Sequence, residues 1–129
     1  MAVKTGQKQI LVIEDEEDLR QFSAWCLEAE GYRVLRAADG DEGVTLAQQN
    51  RVDLILLDIK MPHRYGWSVL AEVKSTPSLM NIPVVIFTAS ADANLKSSIM
   101  KMGAADYLVK PVSAEDLKKC VARVLKNGK

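Results

Sequence analysis

The sequence predicts a single α/β domain, a doubly wound parallel sheet of five strands covered by five helices. Five short apolar segments alternate with five segments of helical periodicity along the chain. The central apolar segment, residues 54–57, has four consecutive large aliphatic residues without alternation, which is typical of a strand buried on both faces. Short right-handed connections between alternating strands and helices make the strands parallel, and 129 residues suit one domain.

The first two predicted strands flank an amphipathic helix. Residues 9–13 form a short apolar strand that stops at an acidic run, residues 14–18, whose charge suits the first turn of a helix. Gly31 is a suitable stop for that helix, and residues 33–37 form the second strand. The apolar residues that we expect this helix to turn inward have helical spacing: Leu19, Phe22, Cys26 and Ala29.

The second helix should begin at Asp39, which can cap its first turn, and extend to Gln49. Gly43 lies inside this helix and should weaken it by roughly 1 kcal/mol relative to alanine. The third strand then ends at Asp58, where the chain reaches water. Pro62 and Gly66 mark the loop that follows.

The second half of the chain continues the alternation. A third helix is supported by Trp67, Leu70, Ala71 and Val73, and it ends before Pro77. Residues 84–87 form the fourth strand, which leads into Thr88, Ala89 and Ser90.

A fourth helix over residues 92–102 stops at Gly103, and residues 105–109 form the fifth strand. Ser113, with Asp116 three residues later, can cap the last helix. The inward face of that helix is apolar: Leu117, Val121, Val124 and Leu125.

The composition excludes several classes of protein. Lysine plus arginine equals aspartate plus glutamate, 17 against 17, so no overall charge favours a nucleic acid or an anionic membrane as a direct partner. Cys26 and Cys120 lack the spacing of a metal or redox site, and we expect both to be small buried hydrophobes. The apolar runs are too short to span a membrane, and residues 1–8 are polar. We expect a cytoplasmic protein whose first eight residues form a flexible tail.

Acidic residues follow two of the predicted strands. Glu14 and Asp15 come after the first strand, and Asp58 ends the third. If these strands are neighbours at the switch point of the sheet, the three carboxylates converge and repel one another unless a cation compensates them. A hard divalent ion with oxygen ligands is suited to this, and Mg²⁺ fits a site that retains water and receives a phosphate.

Two further strand ends complete a set of residues suited to phosphoryl transfer. Lys110 follows the fifth strand and supplies a positive charge, and Thr88 follows the fourth and supplies a hydroxyl. Taken singly, Lys110 could be a surface cation, Thr88 a cap at a strand end, and residues 14–18 a solvated helix start. No glycine-rich phosphate loop is present, so the phosphoryl group must come from a partner.

The chain resembles the response-regulator receiver domain of two-component signalling over nearly its whole length. The motifs that carry the resemblance are Glu14-Asp15, Asp58-Ile59-Lys60-Met61-Pro62 with Gly66, Thr88-Ala89, Gly103-Ala104-Ala105-Asp106-Tyr107, and Lys110-Pro111. The resemblance, which is closest to chemotaxis receivers, implies a flavodoxin-like sheet with strand order 2-1-3-4-5 and one receiver domain over residues 1–129.

The resemblance also implies a role for each site residue. Asp58 would accept a phosphoryl group from a histidine kinase, a histidine phosphotransfer domain or a small phosphodonor. Asp15, Asp58 and the backbone carbonyl of Lys60 would hold Mg²⁺, with Glu14 acting through metal-bound water. Lys110, aimed by a cis peptide bond before proline, would pair with the phosphoryl group.

The resemblance further implies a conformational switch. Thr88 would bind a phosphoryl oxygen, and Tyr107 would turn inward behind it. The fourth helix, fifth strand and fifth helix would then form the face that contacts a downstream partner, around Lys96, Ala105 and Lys119. Such a protein is a signalling switch and not a turnover enzyme, since it catalyses only its own phosphorylation and dephosphorylation.

Two other functions remain open at this stage. A haloacid-dehalogenase-like phosphatase also uses an aspartate at a strand end, but it requires a second aspartate two residues later, where this chain has Lys60. A degenerate receiver would act only as an interaction module, and the intact acidic set with Thr88 and Lys110 argues against it. We expect His63 to be an exposed loop residue, and Trp25 and Trp67 to pack on helix flanks. The domain is either a stand-alone receiver or part of a larger regulator or hybrid kinase.

Overall fold

A computed structural model describes residues 6–59, 66–89 and 91–127 of the chain. The strands in these residues form one parallel sheet in the order β2-β1-β3-β4-β5. They are β1 (Gln9–Ile13), β2 (Arg33–Ala37), β3 (Leu54–Asp58), β4 (Val84–Thr88) and β5 (Asp106–Val109). The helices between and after them are α1 (Glu17–Glu28), α2 (Gly40–Gln49), α3 (Gly66–Ser75), α4 (Ala93–Lys101) and α5 (Ala114–Asn127). The predicted fold class and strand order are confirmed.

The sheet separates two hydrophobic cores. One core lies under α2, α3 and α4, and the other lies under α1 and α5. Alternate residues of β3 belong to opposite cores, Ile55 and Leu57 to the first and Leu54 and Leu56 to the second. The run of aliphatic residues is therefore buried on both faces, as its lack of alternation predicts. Both cysteines are buried free thiols, which confirms that prediction too.

The order of the strands creates the crevice in which the site lies. The chain passes from β1 to β2 on one side of it, and then crosses to β3 on the other side. The order in which strands are added to the sheet therefore reverses between β1 and β3. Ile13 pairs with Leu57 in the register of these two strands. The residues that come next, Glu14 and Asp58, are therefore neighbours at the carboxyl edge of the sheet.

The predicted helix caps and stops lie where the sequence indicates. Asp39 accepts a hydrogen bond from the Glu42 N–H at 2.8 Å, and Ser113 Oγ accepts one from the Asp116 N–H at 3.0 Å. Gly103 follows α4 with a φ of 105°, a left-handed conformation that favours glycine. The two caps therefore fix the first turns of α2 and α5, and Gly103 ends α4.

The orientation of α1 differs from our expectation. Its buried residues are Ser23, Ala24, Cys26 and Leu27. Ala29, which we expected to face inward, is the exposed cap after the helix. Leu19 and Phe22 are only half-buried, since the fully buried face of the helix lies at the four residues just named.

Both tryptophans were also expected to pack on helix flanks, and this is wrong. Trp25 is 72% exposed and Trp67 is 51% exposed. In α3 the buried positions recur at helical spacing and leave Trp67 outside: Gly66, Val69, Leu70 and Val73. The sequence spacing indicated a helix correctly, but the inward side is decided by packing on the sheet.

Gln7 and Lys8, within the segment that we expect to be a flexible tail, make hydrogen bonds to the rest of the domain. The Gln7 side chain donates a hydrogen bond to the Gly31 carbonyl at 3.0 Å, and the Lys8 carbonyl accepts one from the Arg33 N–H at 3.0 Å. The predictions for Lys60, Pro62, His63 and Ser90 lie outside the described residues. No helix in the described ranges combines the length and apolar character needed to cross a bilayer.

Gly43 has a packing role that sequence reasoning did not find. It is buried on α2, and a Cβ atom placed there would lie 2.3 Å from Ile13 Cδ1. Because Ile13 ends β1 and is itself buried, the absence of a side chain at position 43 lets α2 approach the strand that leads into the site.

We expect Gly43→Ala to destabilise the protein by about 1 kcal/mol. Alanine improves helix propensity by about 1 kcal/mol, but overpacking a core costs roughly 1–3 kcal/mol. Urea unfolding followed by far-UV circular dichroism measures the difference. Gln48→Ala, at an exposed position of the same helix, is the control and should leave the free energy of unfolding nearly unchanged.

Ile13→Val tests the cause of that loss. It removes the Cδ1 atom, so the double variant should lose less stability than the two single variants together. Additive losses, or a Gly43→Ala variant as stable as the parent, would contradict the close approach of α2 to β1.

Candidate phosphoacceptor and cation site

Three carboxylates gather at the carboxyl ends of β1 and β3. One oxygen from each of Glu14, Asp15 and Asp58 lies within 4.8 Å of the others. Glu14 continues the ladder beyond β1, since its N–H donates to the Ala37 carbonyl at 3.0 Å. Glu14 is 1% exposed and Asp58 is 4% exposed, whereas Asp15 is half-buried. The convergence predicted from the strand ends is therefore present in the structure.

Lys110 follows β5 and contacts this cluster. Its Nζ donates to Glu14 Oε1 at 2.8 Å and lies 3.3 Å from Asp58 Oδ2. The ammonium also lies 4.8 Å from the centroid of the Phe87 ring, a cation–π contact. The peptide bond between Lys110 and Pro111 is cis, as the resemblance implies.

Thr88 ends β4 beside Lys110. It pairs with Val109 in the sheet, and its carbonyl accepts the Lys110 N–H at 2.7 Å. Thr88 is fully buried. The ends of β1, β3, β4 and β5 thus bring together the sequence-predicted residues of the described chain, while the Lys60 carbonyl lies outside the described residues.

The electrostatics of the cluster reflect burial and excess negative charge. Burial raises the pKa of Glu14 to about 7, and the Asp58 carboxylate acts in the same direction, while the hydrogen bond from Lys110 opposes both. Burial lowers the pKa of Lys110, but the hydrogen bond to Glu14 and the charge of Asp58 outweigh it, so that pKa is raised. Lys110 is therefore a stable cation, and it contacts two of the three carboxyl groups, Glu14 and Asp58.

The donor set fits a hard divalent cation. All three groups offer carboxylate oxygens, the ligands that Mg²⁺ prefers, and they are close enough to share one ion. A bound Mg²⁺ would neutralise the cluster and would make the approach of an anionic phosphodonor favourable. Glu14, Asp15 and Asp58 are the described residues that would hold it.

Gly66 packs directly on the backbone of Asp58. Its N–H donates to the Ile59 carbonyl at 2.7 Å. A Cβ atom at position 66 would lie 2.4 Å from the Asp58 carbonyl oxygen and 2.5 Å from Ile59 Cα. The first residue of α3 must therefore lack a side chain, a packing reason that the sequence, where Gly66 marks a loop and belongs to the receiver motif, does not give.

Sequence reasoning missed two residues that contact the site. The Phe87 ring lies against the Lys110 ammonium, and the Arg20 guanidinium reaches the carbonyls of Glu14 and Asp15. For Arg20 a signal exists in the sequence. It lies in the first turns of the helix that follows the acids, and long helical side chains point back toward the helix amino terminus.

An apolar cavity opens beside the cluster, between α1 and the segment after β5. Its volume is about 350 Å³. The residues that line it are Leu19, Phe22, Phe87, Ala89, Lys110, Pro111 and Val112. Lys110 therefore lies between the acidic cluster on one side and an apolar depression on the other.

Comparison with known protein families identifies the chain. A family model for the response regulator receiver domain matches residues 10–122. The chain belongs to the response regulator receiver family. Receiver domains are signalling switches of two-component systems and not classical enzymes, so the chain has a phosphorylation-dependent signalling role.

Individual relatives agree with this family. The chain is 33% identical to the probable transcriptional regulator ycf27 of Cyanophora paradoxa over 124 residues, 96% of this chain and 51% of that protein. It is 35% identical to protein PilH of Pseudomonas aeruginosa over 117 residues, 91% of this chain and 97% of that protein. The receiver thus spans about half of ycf27 and nearly all of PilH.

A solved structure supports the same fold. The chemotaxis protein CheY4 of Vibrio cholerae superimposes with a TM-score of 0.88 at 31% identity, covering 92% of this chain and 99% of that one. The flavodoxin-like strand order of the receiver is therefore shared with a protein of the same family.

The charge imbalance in the receiver pocket should lower its stability when no divalent cation is present. We expect Asp58→Asn to raise the free energy of unfolding, on the order of 1 kcal/mol, because it removes one of three repelling carboxylates and leaves the Lys110–Glu14 contact in place. Urea unfolding in buffer with a chelator measures this difference.

Lys110→Met is the opposing control. It removes the cation that contacts the buried carboxylates and should destabilise the receiver by roughly 3–5 kcal/mol. If Asp58→Asn also lowers the free energy of unfolding, the pocket carries no excess of repulsion and this account of its electrostatics is wrong.

Proposed function

We propose that this receiver is a phosphorylation-dependent switch in which Asp58 accepts the phosphoryl group and Mg²⁺ is required. The observation that carries the proposal is the position of Asp58. Its carboxylate lies in a buried cluster with Glu14 and Asp15, 3.3 Å from the Lys110 ammonium. A carboxylate surrounded by cation ligands and a fixed cation suits phosphoryl transfer, in which catalysis is mostly positioning and charge neutralisation.

Each residue has a defined role in this proposal. An Asp58 carboxylate oxygen forms a bond to phosphorus, while the bond from phosphorus to the donor nitrogen or oxygen breaks and its electron pair leaves with the donor. Lys110 pairs with the transferred phosphoryl group, to which the Thr88 hydroxyl donates a hydrogen bond. Asp15, Asp58 and the Lys60 carbonyl would hold the cation, with Glu14 acting through metal-bound water.

The donor that we propose is a histidine kinase or a histidine phosphotransfer domain. The chain has no glycine-rich nucleotide loop, so a phosphorylated partner or a small acyl phosphate must supply the phosphoryl group. We also propose that residues 1–129 form one receiver domain, because the described strands form a single sheet with both faces covered.

The output face that we propose consists of α4, β5 and α5. The sheet connects it to the pocket, since Thr88 pairs with Val109 and Ile86 pairs with Tyr107. The Tyr107 side chain is 6% exposed and packs in the core under α4, which is the inward orientation that we assign to the phosphorylated state. The receiver would then exist as an inactive and an active population. Movement of Thr88 toward a phosphoryl group would favour the active one, in which Tyr107 is turned inward.

Phosphorylation of Asp58 can be tested directly with acetyl phosphate. We expect one added phosphoryl group by intact mass spectrometry with Mg²⁺, and none in excess chelator. Asp58→Asn should remain unmodified. Asp116→Asn, a matched change at an exposed position of α5, should react like the parent. Modification of Asp58→Asn, or full reaction without a divalent cation, excludes the proposed site.

The output face can be tested by nuclear magnetic resonance. Addition of beryllofluoride with Mg²⁺ should shift amide signals around Lys96, Ala105, Tyr107 and Lys119, because a phosphoryl mimic adds charge at the pocket that Thr88 and Tyr107 relay. Asp58→Asn is the control and should show no shifts. Shifts confined to the pocket, with this face unchanged, would refute the proposed coupling.

A further inference from the structure

Arg20 connects α1 to the loop that carries two of the acids. Its guanidinium Nη1 donates to the Glu14 carbonyl at 2.9 Å and to the Asp15 carbonyl at 3.4 Å. The side chain is half-buried and extends back from α1 toward the amino terminus of the helix. One guanidinium group therefore binds the backbone of two successive residues of the acidic cluster.

These carbonyls lie where regular secondary structure ends. The Glu14 N–H still belongs to the sheet, because it donates to Ala37, but α1 begins only at Glu17. A buried carbonyl between a strand and a helix needs a donor, since an unpaired polar group costs free energy away from water. Arg20 supplies that donor for Glu14, which is fully buried.

The other contacts of the loop act on different atoms. The Glu14 carboxylate is held by Lys110 through Oε1 and by the Glu16 N–H through Oε2, at 3.2 Å. The Arg20 N–H donates to the Glu16 carbonyl at 2.9 Å, which fixes the start of the helix. The Arg20 side chain adds the contact that orients the backbone from which the Glu14 and Asp15 side chains extend.

We propose that Arg20 is a positioning residue for the divalent cation site. It holds the loop so that the Glu14 and Asp15 carboxylates stay close to Asp58, and it strengthens cation binding without contacting the ion. The proposal rests on the proposed function, because it takes the acidic cluster as the Mg²⁺ site. Groups that orient metal ligands from behind commonly change metal affinity by about 10- to 100-fold when they are removed.

Charge and positioning predict opposite results, which makes the proposal testable. A positive guanidinium near the site repels a divalent cation, so its removal should strengthen binding if only charge matters. Its removal should weaken binding if Arg20 holds the ligands in place. The direction of the change in affinity therefore separates the two effects.

The experiment measures Mg²⁺ binding by isothermal titration calorimetry in the full chain. We expect Arg20→Gln to bind Mg²⁺ about 10-fold more weakly than the parent. Arg20→Lys keeps the charge but loses the planar fork, and it should show a smaller loss. Arg36→Gln removes the same charge from an exposed arginine that pairs with Glu28 at the far end of α1, and its affinity should equal that of the parent.

A second measurement separates positioning from general loss of structure. The Mg²⁺ concentration that gives half the maximal rate of phosphorylation by acetyl phosphate should rise in Arg20→Gln by the same factor as the dissociation constant. The rate at saturating Mg²⁺ should stay close to that of the parent, because the reacting groups are unchanged. A loss confined to the saturated rate would overturn the proposal.

The remaining outcomes are also decisive. Unchanged or tighter Mg²⁺ binding in Arg20→Gln overturns the proposal, as does an equal loss in Arg36→Gln. If Arg20→Gln fails to fold by circular dichroism, Arg20→Lys decides the question by the same comparison. If the parent binds Mg²⁺ but Asp58 is never phosphorylated, the proposed function fails, whereas the binding series still tests Arg20.

Discussion

The concentration of negative charge at the carboxyl edge of the sheet is the constraint on which the rest of this receiver depends. Glu14 and Asp58 are removed from water, and Asp15 lies beside them, so their repulsion is poorly screened. Lys110 offsets part of this charge through direct contacts with two of the three groups. We expect the remaining negative charge to disfavour the folded protein by itself, and the same property suits the pocket to a divalent cation.

The sheet brings these charges together with little contribution from flexible segments. Glu14 extends the ladder of β1, Asp58 ends β3, and Thr88 ends β4, so their backbones are held by strand pairing. Two glycines allow the neighbouring helices to approach these strands, Gly43 against Ile13 and Gly66 against Asp58. The same frame therefore fixes the backbones of the acidic cluster and joins β4 directly to β5.

The features that could be predicted are those that depend on residues close together in the sequence. A change from apolar to acidic residues marks the ends of β1 and β3, and parallel strands bring such ends to one edge, so the acidic cluster follows from the sequence. The rotation of a helix about its own axis is not local information, and for that reason the burial of α1 and the exposure of Trp25 were missed. The contacts of Arg20 and Phe87 were missed because they depend on how α1 and β4 lie against residues that come from other strands.

The exposure of both tryptophans determines how this protein can be observed by fluorescence. Trp25 and Trp67 are the two tryptophans of the chain, and both are exposed in the folded state, Trp25 more than Trp67. We therefore expect their emission wavelength to change little when the chain unfolds, which makes it a weak measure of global stability. Trp67 has a different use, because it follows Gly66, which packs on the Asp58 backbone. We therefore expect its emission to respond to changes at Asp58 more than that of Trp25, which lies on another helix and supplies a background that Trp25→Phe would remove.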